Sequence, residues 1–153
     1  MDFLSFLQAI GAATQLDIGA AATDGGCTIV FSDHLEVTFE YDEKSQAVLI
    51  FAPLLSIGTW PLESRARILA SVLEWHLFGL QTEGNYFGLD SQLDRIVFTR
   101  SLALASLEPT GAVQAVESFV NQLERWHAHL MQASLVQEPE PDPASSPLPI
   151  QPV

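Results

Sequence analysis

The chain has 153 residues, enough for one domain with an appendage, and 48 % of them are hydrophobic, which excludes wholesale disorder. Its formal net charge is −13, yet only six residues are Lys or Arg, so the acidity comes from missing bases more than from crowded acids. Such a surface repels phosphate backbones and anionic membranes, which argues against both and suits solubility, or a basic or amphipathic protein partner.

Residues 2–13 space Phe3, Leu4, Phe6, Leu7 and Ile10 as a short first helix, ending near Gly11. A Gly/Ala/Asp loop runs through Gly25 and Gly26. Cys27 to Ser32 then reads as a strand on its β-branched pair Ile29 and Val30. Leu35 to Tyr41 alternates: Leu35, Val37, Phe39 and Tyr41 point one way, Glu36, Thr38 and Glu40 the other. The next strand, Gln46 to Leu54, is apolar on both faces. The intervening turns are short enough to make these strands hairpin partners. If Val37 and Phe39 face the core, Leu49 and Phe51 lie on the opposite face. There they are either covered by a helix or left open beside Glu36 and Glu40.

Pro61 stands where an N1 proline starts a helix, and Leu62 to Leu80 follows as a helix with two apolar stripes. One stripe is Leu62, Ala66, Leu69, Leu73, Leu77 and Leu80. The other is Ile68, Val72 and Trp75, with Phe78 beyond it. A helix lying on one sheet needs a single stripe, so the second must meet something else. Gly79 and the loop through Gly84 stop the helix. Tyr86 to Leu89 reads as a very short strand and Asp94 to Leu104 as a longer one. Pro109 opens a third helix with Ala112, Val116, Phe119, Leu123, Trp126 and Leu130 on one face, fraying near Gln137. Glu138 to Val153 holds six of the nine prolines with Glu138, Glu140 and Asp142, and reads as a disordered tail after a domain of residues 1–137. The order αβββαββα indicates an α+β fold on an antiparallel sheet.

Little in the chain suggests catalysis. His127 and His129 are two apart on a helix and point about 160° from each other, so they cannot grip one metal. His76 borders the leucine stripe and reads as a packed histidine, while His34 sits in a turn. Asp90 and Asp94 are ordinary turn residues. The chain lacks a Gly-x-Ser-x-Gly elbow, a phosphate-binding glycine loop and a metal-ligand spacing, so we expect no enzyme, no catalytic residue, no metal and no cofactor. Cys27 is the one cysteine and reads as a small core residue. The start Met1-Asp2-Phe3 has no signal-peptide pattern, and no apolar run reaches the roughly 18 residues of a membrane span, which places the chain in the cytoplasm.

Three segments carry a resemblance: Leu73-Glu74-Trp75-His76-Leu77-Phe78-Gly79, then Gly84-Asn85-Tyr86-Phe87-Gly88-Leu89-Asp90, then Arg95-Ile96-Val97-Phe98. With Phe119 and Trp126 in the closing helix, the pattern resembles the type III secretion chaperones of the Tir-chaperone-like group over roughly Asp2 to Gln132. The resemblance implies an ATP-independent cytoplasmic homodimer that holds the N-terminal region of a secreted effector in an export-competent state. It implies a dimer contact at Ile68, Val72, Trp75, Phe78 and Leu89, with the leucine stripe packed on the sheet. It also implies that the effector adds strands and lodges apolar side chains in surface patches, for which Leu4, Leu7, Val30, Leu49 and Phe51 are the candidates. The proline-rich tail departs from the compact family pattern. A dimeric regulatory or structural domain of the same fold, holding no effector, is the alternative.

Overall fold

A computed structural model describes residues 1–135. The expected end of the domain at 137 and the tail over 138–153 lie outside the described residues. The elements run α1 (Phe3–Thr14), β1 (Gly26–Phe31), β2 (Leu35–Asp42), β3 (Ala47–Ser56), α2 (Leu62–His76), β4 (Tyr86–Asp90), β5 (Arg95–Ala103) and α3 (Pro109–Leu135). Short 3₁₀ turns at Gly19–Asp24, Leu77–Gly79 and Leu104–Ser106 join them. The expected α+β order is therefore the observed one. The five strands form one antiparallel sheet in the order β1-β2-β3-β5-β4, which leaves β1 and β4 at its edges.

Local chemistry sets the boundaries. Asp2 caps α1 by accepting a hydrogen bond of 2.7 Å from the Ser5 N–H, and Gln15 closes the helix in the left-handed region with its N–H on the Gly11 carbonyl. Gly11 is required at that exit, because a Cβ there would stand 2.5 Å from the Leu16 carbonyl oxygen. Ser32 and Asp33, with φ of 50° and 63°, turn β1 tightly into β2. Between β2 and β3 the Asp42 carboxylate accepts from the Lys44 N–H and the Ser45 hydroxyl. Asp90 does the same work after β4, accepting from the N–H groups of Gln92 and Leu93.

The second helix is shorter than its hydrophobic pattern suggests. Pro61 sits at the N-cap, and α2 ends at His76 because Phe78 adopts φ 59° and Gly79 φ 65°, which no α-helix continues through.

One face of the sheet holds the core. Leu35, Val37 and Phe39 of β2, Val48, Ile50 and Ala52 of β3, and Ile96 and Phe98 of β5 are buried there. All three helices contribute to the same cluster. Phe6 of α1 meets Phe39 at 5.9 Å between ring centroids, Phe119 of α3 meets Phe98 at 5.3 Å, and Trp126 meets Phe87 edge-on at 5.0 Å. The alternating positions on the opposite face are exposed or half-buried.

Candidate functional site

The surface features that could hold another molecule begin with α2. Burial divides its two stripes otherwise than the resemblance implies. Ile68 and Val72 are buried in the core of their own chain, while Leu73 is 72 % and Leu62 82 % exposed. Arg65 lies three residues before Ile68 and seven before Val72, on their side of the helix. Its guanidinium reaches Asp94, in the turn between β4 and β5, at 2.6 Å. The Ile68/Val72 side thus packs inward, where its burial contributes more than a half-exposed ion pair can, and Leu62, Leu73, Leu77 and Leu80 stay on the outside, with Leu69 half-buried at the margin. Trp75 is half-buried, its ring 5.5 Å from Trp126 of α3 and 4.7 Å from His129. Phe78 and Leu89, the two remaining residues expected at a dimer contact, are exposed.

Edge strand β4 lies beside this stripe. Leu69, Leu73, His76, Phe87 and Leu89 line one groove between α2 and β4, and Leu77, Phe78 and Tyr86 line a second that shares Leu73 and His76. His76 is packed, as its position predicts, with Tyr86 and Phe87 at 5.4 and 6.2 Å between ring centroids. The surface is therefore a helix stripe, an edge strand and an aromatic corner, largely apolar, with His76, Asn85 and Tyr86 as its polar members.

The opposite edge has a different build. A cavity of about 360 Å³ opens between α1, the end of β1 and the first half of α3, lined by Ile10, Thr14, Phe31, Val116, Val120 and their neighbours. Gly26 opens β1 because a Cβ there would stand 2.5 Å from the Phe39 carbonyl oxygen. The expected effector contacts divide. Leu4, Val30 and Leu49 are exposed and Phe51 is half-buried, so the structure leaves all four accessible. Leu7 is fully buried, which removes it from the surface. It belongs to the same stripe of α1 as Phe3, Phe6 and Ile10, and that stripe faces the core.

Polar chemistry is sparse. His127 lies 5.7 Å from His34 between ring centroids whereas His129 turns to the two tryptophans, so the pair diverges as the helix geometry requires. Among the described residues no group of three His, Cys, Asp or Glu is placed to hold a metal ion, and no helix is long and apolar enough to cross a membrane. Asp90 accepts from Arg95 at 3.0 Å. That bond above all, with the Leu93 and Gln92 N–H groups, holds its carboxyl below the usual range. Burial pushes the Cys27 thiol up, away from the reactive thiolate. These shifts serve turns and core, and none belongs to a cleft with converging groups.

Solved structures share this fold. A chain of the HopA1–SchA chaperone–effector complex superposes with a TM-score of 0.61 at 15 % identity, covering 81 % of this chain and 91 % of that one. A chain of the ExoU–SpcU complex from the type III secretion system of Pseudomonas aeruginosa gives 0.62 at 15 %, covering 83 % and 95 %. The ExsC–ExsE complex contributes a chain at 0.55 and 18 %, covering 90 % and 95 %. At these identities the likeness is one of fold. No curated protein sequence matches the chain. The model of the Tir chaperone protein (CesT) family matches residues 5–127, which takes in every strand and all but the last turns of α3. The chain belongs to the Tir chaperone protein (CesT) family.

Proposed function

We propose that this protein is an ATP-independent type III secretion chaperone that acts as a cytoplasmic homodimer and holds the N-terminal segment of a secreted effector. The observation that carries the reading is the quantity of apolar surface left open on a chain with a complete core: Leu62, Leu73, Leu77, Leu80, Phe78, Tyr86 and Leu89 are all exposed.

The homodimer contact is the α2–β4 surface. Leu73, Leu77, Phe78 and Leu89 meet the second copy, with Trp75 at the margin. Fully burying one leucine or phenylalanine side chain contributes roughly 1.5–3 kcal/mol, whereas association costs on the order of 4–15 kcal/mol. A stable dimer therefore has to cover most of the stripe, which fits a helix packed along its length against its copy. The effector then has the β1 edge and the adjoining cavity, where an added strand gains backbone hydrogen bonds and seats a side chain between Ile10, Phe31 and Val116. Leu4, Val30, Leu49 and Phe51 supply further apolar contacts. Backbone pairing tolerates many sequences, so selectivity rests on the seated side chains.

Light scattering and limited proteolysis test this. The chain should run as a dimer at micromolar concentration. Co-expressed with its secreted partner, it should protect a segment of about 50–100 residues, the order of length that wraps a large surface without folding. A dimer that protects no segment of any secreted protein from its host would support the regulatory reading instead. A monomer would overturn both.

A further inference from the structure

The sheet's second face lies opposite the helices, and its register draws one row across all five strands: Thr28, Thr38, Phe51, Thr99 and Tyr86. Leu49 stands in the next row, directly opposite Glu40 of β2. Glu36 lies on the same side of β2, four residues along, or about 13 Å. Phe51 and Leu49 thus give this face a small apolar centre among threonines, and one flank carries two exposed carboxylates. Neither Glu36 nor Glu40 is in an ion pair among the described residues, whereas three of the chain's six cations are: Arg65, Arg67 and Arg95. Arg95 is on this face, and Asp90 already holds it.

We propose that this bare face binds a cationic amphipathic segment of the effector, with apolar side chains over Phe51 and Leu49 and Lys or Arg over Glu36 and Glu40. The inference rests on the chaperone reading above and adds the chemistry that the cargo must present. Charge decides the occupant. A second copy would set Glu36 and Glu40 against an equally acidic face that has no unpaired cation to offer. The chain's own residues 138–153 carry Glu138, Glu140 and Asp142 and no Lys or Arg, so they are repelled as well. A segment with alternating leucine and lysine satisfies both halves of the face, and the charge pairs select it more than they tighten it.

The test uses the full chain and three synthetic 14-residue peptides: leucine–lysine, leucine–glutamate and serine–lysine. Affinity is read by fluorescence anisotropy and location by amide shifts on the ¹⁵N-labelled chain. The leucine–lysine peptide should move Thr38, Leu49, Phe51 and Thr99, and the other two should bind at least about tenfold more weakly. Reversing both charges (Glu36→Lys with Glu40→Lys) should weaken it about tenfold, the scale of two exposed charge pairs turned repulsive. Phe51→Ser should weaken it without altering its salt dependence. Equal binding of the leucine–glutamate peptide, shifts confined to the cavity beside β1, or concentration-dependent shifts of the same amides without peptide would overturn the proposal. Proteolytic protection of the co-expressed effector separates the two readings. Protection together with charge-blind peptide binding overturns the cationic segment alone, and charge-selective binding without protection overturns the chaperone reading alone.

Discussion

Helices α2 and α3 are both amphipathic, and they spend their apolar residues differently. In α3, Ala112, Val116, Phe119, Leu123, Trp126 and Leu130 form one stripe, and every one of them is buried. In α2 only Ile68 and Val72 are buried, while Leu62 and Leu73 stay in solvent and Leu69 is half-buried. One helix completes the fold, and the other does so with one side and offers its second side outward. Burial within the chain contributes to stability at any concentration, whereas an open stripe contributes only when a partner covers it.

Mutations should separate the two helices. Phe119→Ala removes a fully buried ring packed at a tilt on Phe98 and should cost about 3–5 kcal/mol in urea unfolding, the largest effect expected here. Ile68→Ala should follow at about 2–5 kcal/mol. A change in association with unchanged monomer stability would instead return Ile68 to an interface. Leu73→Asp combined with Leu77→Asp should shift the dimer to monomer in light scattering while moving monomer stability by no more than about 0.5 kcal/mol per site. Loss of monomer folding in that variant would show that the stripe is core after all.

The smallest effect concerns pH. Asp90 is held below its ordinary range by Arg95, so its contribution is present above the unfolded carboxylate value and is lost as pH falls through the lower folded one. Asp2 and Asp42 are lowered by their own hydrogen bonds to Ser5, and to Ser45 and Lys44, and act with the same sign. Asp90→Asn should therefore narrow the stability gap between neutral pH and the region below about pH 4. An unchanged acid limb in urea titrations would remove Asp90 from that account.

Much of this fold is legible in the residues. The alternation in Leu35 to Tyr41 and the single stripe of α3 each admit one arrangement, and each is found; the doubly apolar Gln46 to Leu54 marks a strand but leaves open what lies over Leu49 and Phe51. The rotation of α2 is not legible. Both stripes are apolar, and which one meets the core depends on packing against distant strands, as does the pairing of Arg65 with Asp94, 29 residues apart, which no local pattern encodes. Leu7 is a different case. Its spacing from Phe3 and Ile10 places it on the buried side of α1, so periodicity contains the answer that the patch assignment overrode. Helix α2 ends early because of the backbone of Phe78, which hydrophobic spacing cannot register.

Phe78 has one further consequence. A non-glycine residue at φ 59° is uncommon and costs of order 1 kcal/mol or more, and this one presents an 85 % exposed ring at the end of α2. Its backbone is already fixed in the free chain, so a partner closing over the ring has less conformational freedom to remove there. Phe78 is in that sense preorganised at its backbone: the free chain carries the strain, and a partner covering the ring has only the side chain left to order.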